Sequence, residues 1–325
     1  MRFLSWLQRF LVGQARAYER PPRAPAIILA AFGTTHPEAL GALENIEKRV
    51  VAAFPDYEVR LAFTSNHVRA RWRERGLDPR YRANQPGVLD RYYQINNVLS
   101  ELAYFQEHGA RLILVQSLLM ADGEEFRDLY GLIQSLKALD TGQRSLHPFP
   151  WLGLGPPALG LGEGDADTLD RAARALSSLG QLVANKEATV VLMAHGNERR
   201  DLTVFGALEQ TLRGHYGAAI HIGLVEGEPG LEELKGAISQ TTAPGGRLVL
   251  APLMVVAGDH AKNDLAGDED SWASELKRIG YNVEVNLAGL GSNNLWADLY
   301  VDSLRRVERE VSRDKAKEER LSAVA

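Results

Sequence analysis

Cysteine is absent from all 325 residues. That absence excludes disulfides, thiolate metal sites, iron–sulfur clusters and cysteine nucleophiles, and it leaves any metal to nitrogen and oxygen ligands. It also fits a reducing compartment. A basic surplus is missing too: 37 Lys and Arg stand against 42 Asp and Glu, for a net charge of −5. Without a broad positive field, no nucleic-acid partner is expected. No glycine-rich Walker or dinucleotide fingerprint follows the first strand signal, which discounts a nucleotide-binding enzyme. No Gly-x-Ser-x-Gly turn supports a serine hydrolase. The N-terminal apolar stretch is broken by Gln8 and Arg9 and lacks a small-residue cleavage site, so it reads neither as a signal peptide nor as a membrane span. A cytoplasmic location is expected.

What is present begins with an amphipathic helix over Met1 to Tyr18, with Phe3, Leu4, Leu7, Phe10 and Leu11 at helical spacing. It is expected to pack on the body or on a neighbouring subunit of a homo-oligomer; lying on a membrane surface is the less favoured reading. A Pro-rich linker ends at Pro25, which sets residues 1–25 apart. At the other end, 311–325 is charged, and Ser312 to Arg320 reads as a solvated helix end with a frayed tail. An apolar content of 45% is ample for a sizeable core in between.

Strand and helix signals alternate along that body. Strands are expected at Ala26 to Ala31, Tyr57 to Phe63, Arg111 to Met120 and Phe149 to Leu154. Helices are expected at Pro37 to Ala53, Val88 to Glu107 and Glu124 to Leu139. Loops are short except around Arg71 to Gly87. After the Gly/Pro-rich Gly153 to Gly164 the plan repeats, with a helix at Asp165 to Leu182 and strands at Thr189, Ala219, Arg247 and Asn282. Helices near Asp201, Leu231, Ser271 and Leu295 follow these strands. Such alternation implies an α/β fold with parallel sheets flanked by helices.

The halves resemble each other in detail. Ile27 to Gly33 matches Val190 to Gly196, which sets Phe32 opposite His195. Val115 to Glu125 matches Ala251 to His260, which sets Glu125 near His260, and Ser65 falls near Glu226. These matches predict an internal duplication with two similar domains, 26–160 and 161–310. In the second half His195, Glu226 and His260 each stand where a buried strand stops. In an open α/β sheet the carboxyl ends of the strands line the ligand crevice, so two imidazoles and a carboxylate there can converge on one divalent ion. The first half offers Glu125 and the small polar residues Thr34, Thr35 and Ser65.

Several stretches carry a family resemblance. They are Phe-Gly-Thr-Thr at 32–35, Phe-Thr-Ser at 63–65, Met-Ala-His-Gly at 193–196, Val225-Glu226, and above all Pro252-Leu-Met-Val-Val-Ala-Gly-Asp-His-Ala-Lys-Asn-Asp264 with Asp270-Ser-Trp272. From about Ala26 to Val307 the chain resembles the class II tetrapyrrole chelatases, and within them the CbiK-type sirohydrochlorin cobalt chelatases of the anaerobic cobalamin pathway. It departs from the family pattern in the N-terminal helix and in Glu124, where an aspartate is usual.

The resemblance implies an ATP-independent insertion of Co²⁺ into sirohydrochlorin with release of two protons and no organic cofactor. His195 and His260 would bind the incoming metal, with Glu226 as third ligand and Glu125 acting from the opposite side. Phe32, Gly33, Thr34, Thr35 and Ser65 would seat the macrocycle, whose carboxylates call for cationic anchors such as Arg199 and Lys262. Simple solvation is the more ordinary reading of those two cations. Asp264 and Asp259 are candidates to orient the imidazoles, and the remaining histidines are given no role. The ligand set does not choose among Co²⁺, Ni²⁺ and Fe²⁺. A carrier that holds tetrapyrrole or metal without catalysis is the alternative of a different class.

Overall fold

A computed structural model describes residues 24–139, 147–197 and 203–324. The expected helix at Met1 to Tyr18 lies outside the described residues. Two strands set the frame. All six residues of β1 (Ala26–Ala31) are buried, as are the first six of β5 (Thr189–Gly196). Uninterrupted apolar runs of this kind suit parallel strands covered on both faces. Each is one of the two inner strands of a four-stranded parallel sheet. The first sheet has the order β2-β1-β3-β4, with β2 Glu58–Phe63, β3 Leu112–Ser117 and β4 Trp151–Gly155. The second has the order β6-β5-β7-β8, with β6 Ile220–Glu226, β7 Arg247–Pro252 and β8 Asn282–Val285.

Helices cover both sheets. In the first half α1 spans Leu40–Ala53, α2 Asn66–Gly76, α3 Pro79–Asn84, α4 Val98–Glu107 and α5 Glu124–Lys137. In the second half α6 spans Ala166–Ala175, α7 Ser177–Ala184, α8 Val204–Tyr216, α9 Leu231–Thr241 and α10 Trp272–Arg278; α11 (Asn294–Val324) closes the chain.

The stretch expected to be a long loop, Arg71 to Gly87, holds the end of α2 and all of α3. Its helices are fixed by caps rather than by apolar periodicity. Ser65 accepts from the Val68 amide, Asp78 accepts from the Arg80 and Tyr81 amides, and Pro79 opens α3. Only Val68, Arg69 and Trp72 of α2 are buried, so its residues carry little amphipathic signal. Two expected helices are each divided. Asn97 caps α4 by accepting from the Ser100 amide, leaving Asp90–Gln94 as a separate 3₁₀ turn, and Leu176 separates α6 from α7.

The long helix α11 leaves the second sheet and packs on the first half. Val307 and Val311 press against Gly153 of β4, where a Cβ would stand 2.5 Å from Val307 Cγ1. Arg49 of α1 forms a two-pronged pair with Asp298, at 2.6 and 2.7 Å, and Tyr57 donates to Glu308 at 2.5 Å. One apolar cluster accordingly runs from Ile27 and Leu43 through Trp296, Tyr300 and Leu304 to Leu192 and Leu224. Among the described residues no helix is long and apolar enough to cross a membrane.

Candidate active site

The carboxyl ends of both parallel sheets open on a shared cleft, as expected for strands that all run in one direction. It has a volume of about 340 Å³, within the range of small-molecule sites. Phe32, Gly33, Thr34, Thr35, Ser65 and Glu125 line it from the first half, and His195 and His260 from the second. Its floor is apolar, with Leu118, Phe205, Leu253 and Val255 among the lining residues. Glu226 and Lys262 do not line it, and Arg199 lies outside the described residues.

Local backbone chemistry positions the two histidines. His195 is the penultimate residue of β5, and Gly196 beside it adopts a φ of +80°, the left-handed region where a side chain is strained. The Gly196 Cα also sits so close to β6 that a Cβ would fall 1.8 Å from the Glu226 carbonyl oxygen. The pairing of Gly196 with Glu226 therefore requires glycine, and it brings Glu226 Oε2 to 3.8 Å from His195 Nδ1. Gly33, the counterpart in the first half, has a φ of +97° and packs on the Phe63 ring in the same manner.

His260 comes from the loop after β7 and begins one wide π-helical turn, Ala261–Leu265. Such turns are rare and concentrate at functional sites. This one places Asp264 Oδ2 2.6 Å from His260 Nδ1, which leaves the other ring nitrogen available to a ligand. The His195 and His260 rings meet edge to face with centroids 4.6 Å apart. Both side chains are accessible, at 45% and 39%. Among the described residues, no group of three His, Asp or Glu side chains forms a ready-made metal cage. The arrangement is a histidine pair, each ring with its own carboxylate neighbour.

The other polar residues divide unevenly. Asp259 does not orient an imidazole of the pair; it meets His36 Nε2 at 2.6 Å across the mouth of the cleft. Lys262 pairs with Glu38 from the opposite half, so it serves as a strut between halves. On another side of the mouth, a Cβ on Gly123 would stand 3.8 Å from Asn197 Nδ2, so loops of the two halves also meet there. Two histidines in or near this site, His67 on the cleft wall and His36 at its rim, had no signal in the sequence. His67 stands at the start of a capped but weakly amphipathic helix, and His36 finds its partner more than two hundred residues away.

Comparison with known proteins agrees with this geometry. The family model of the cobalt chelatase CbiK matches residues 25–309. The sirohydrochlorin cobaltochelatase of Salmonella typhimurium is 27% identical over 286 residues, covering 86% of this chain and 95% of that protein. The sirohydrochlorin cobaltochelatase CbiKC of Nitratidesulfovibrio vulgaris is 29% identical over 287 residues, covering 87% and 90%. SirB from Bacillus subtilis, solved with Fe³⁺, shares the fold at a TM-score of 0.54 and 13% identity over 87% of this chain and 95% of that one. The histidine pair in the cleft, the cleft between two like-ordered parallel sheets and the family match over nearly the whole body lead to one conclusion: this chain belongs to the CbiK cobalt chelatase family.

Proposed function

We propose that the protein inserts Co²⁺ into sirohydrochlorin, with His195 and His260 receiving the metal and passing it to the macrocycle. The observation that carries this reading is the pair of accessible imidazoles 4.6 Å apart at the ends of β5 and the β7 loop, inside a cleft with an apolar floor. Insertion exchanges two pyrrole protons for one divalent ion. The site must therefore hold the ion loosely and accept protons. A neutral imidazole does both: it is a good ligand for Co²⁺, and the nitrogen lone pair that held the metal can take a proton once the metal has left. Thiolates would retain a soft ion, and the chain has none.

Asp264 accepts from His260 Nδ1 and fixes the tautomer that leaves the other ring nitrogen free for the metal. Glu226, near His195, offsets the charge of an arriving cation and stands as third ligand. Glu125 acts as a carboxylate on the opposite wall, and Phe32 with Gly33, Thr34, Thr35 and Ser65 seats the ring. A loosely gathered ligand set suits transfer better than a closed cage, because tight binding would raise the barrier to release. The identical strand order of the two sheets supports an origin by internal duplication.

The test is an insertion assay on sirohydrochlorin, following its absorbance with Co²⁺, Ni²⁺ and Fe²⁺ separately. Insertion faster than the spontaneous rate in the wild type, lost in His195→Ala/His260→Ala, is the expected result. A wild type that binds the tetrapyrrole and adds nothing to the spontaneous rate with any ion would make the protein a carrier.

A further inference from the structure

Among the described residues, one arginine is buried, Arg69 of α2, at 5% exposure. Its guanidinium donates to the carbonyls of Phe63 and Thr64, the latter at 2.9 Å, and to Asn66 Oδ1. Each of these acceptors is neutral. The contrast with Arg49 is direct: its hydrogen bond to the Asp298 carboxylate holds its pKa above the usual range. Arg69 is pushed the other way, by burial first and by the nearby Arg73 second, with no carboxylate contributing. A buried cation without a counter-ion is unfavourable, and it strongly attracts an anion that can reach it.

An anion has a route to it. Arg69 lines a chamber of about 330 Å³ that adjoins the metal cleft, the two sharing Phe32, Ser65 and Glu125. Thr64 lines the same chamber, and its Oγ1, shut off from solvent, has no hydrogen-bond partner among the described residues. The N-terminal residues of α2 and α4, helices of 11 and 10 residues, supply Asn66 and Val98 to the wall. Helix N-termini carry partial positive charge. Glu125 and Asp128 also line the chamber and act against an anion, but both are exposed, so solvent screens them more than it screens Arg69.

We infer that this chamber is a carboxylate subsite, which takes one acidic side arm of the macrocycle while the ring lies in the cleft, with Arg69 and Thr64 Oγ1 as donors. The inference rests on the reading of the cleft as a tetrapyrrole site and adds how the ring is anchored and turned. An acidic arm supplies the missing counter-charge together with an acceptor for Thr64; a neutral arm supplies no counter-charge.

The test compares sirohydrochlorin binding, by fluorescence quenching, for the wild type, Arg69→Gln, Arg69→Lys and Asp128→Asn. Co²⁺ binding without tetrapyrrole is measured alongside. Arg69→Gln is expected to raise the sirohydrochlorin Kd about tenfold or more, as loss of a charge-assisted hydrogen bond should. Arg69→Lys should raise it less, Asp128→Asn should lower it about twofold, and Co²⁺ affinity should match the wild type in all three. If the wild type neither binds nor metallates sirohydrochlorin, the reading of the cleft fails and this inference with it. If the wild type is active while folded Arg69→Gln and Asp128→Asn bind like it, the subsite alone is overturned. If Arg69→Gln does not fold, Asp128→Asn decides by itself, and an unchanged or higher Kd overturns the proposal.

Discussion

Asp264 illustrates how much depends on single atoms here. Its carboxylate lies 2.6 Å from His260 Nδ1, so Asp264→Ala is expected to weaken Co²⁺ binding roughly 10–100-fold with little loss of stability, measured by metal titration beside thermal melting. Loss of both histidines should remove insertion by at least about 100-fold. Gly196 makes a different prediction, because it is needed for geometry and not for chemistry. Gly196→Ala must drive a methyl into the Glu226 carbonyl from a left-handed backbone, so it should destabilise by more than about 2 kcal/mol in chemical denaturation. His195 and Glu226 were legible in the sequence because each ends a buried strand, whereas β7 stops at Pro252 and His260 stands eight residues beyond it, so the strand-end expectation for His260 is corrected to a loop position. His36, which meets Asp259, was not legible, because nothing local marks a partner on the far side of a cleft.

Elements differ in what holds them. β6 carries His221, 1% exposed, between Arg213 at 3.0 Å and Thr241 at 2.9 Å. Burial, and then the Arg213 guanidinium, lower its pKa from 6.5 to about 4. The unfolded imidazole therefore takes up a proton first as the pH falls. Stability from neutral His221 is complete above about pH 6.5 and is lost as the pH falls through 4, on the order of 3 kcal/mol in total. His221→Gln should flatten the dependence of Tm on pH across that window. In α2 the determinant is a cap: Ser65→Ala should cost about 1 kcal/mol by freeing the Val68 amide, readable as a lower denaturation midpoint. Caps of this kind, Ser65 on α2 and Asp78 on α3, leave no apolar periodicity to mark a helix in the sequence. The helicity of α2 and α3 comes from end groups, whereas β1 and β5 are marked by continuous apolar runs.

At the scale of the molecule, α11 keeps the two sheets in one body. It carries Trp296, Tyr300 and Leu304 into a core shared by both halves, and Asp298 to Arg49. Because that ion pair is about one-third exposed on each side, removing it should cost no more than about 1 kcal/mol in an Arg49→Ala/Asp298→Ala double-mutant cycle. The apolar contacts matter more. Leu304→Ala, at a fully buried position, should cost about 2–5 kcal/mol and unfold the halves in a single transition.

The sequence by itself determined the α/β class, the repeated plan and His195 at the end of its strand, because period, apolar runs and glycine placement are local properties that each strand carries with it. Only the tertiary structure decided that the histidines meet edge to face, that Lys262 braces Glu38 rather than facing the cleft, and that Asp259 and Asp264 serve different partners. It also decided that α11 packs back onto the first sheet and that Arg69, beside the cleft, is buried with only neutral acceptors among the described residues. Those outcomes depend on distances between residues far apart in the chain, which are set by how two sheets and their helices pack.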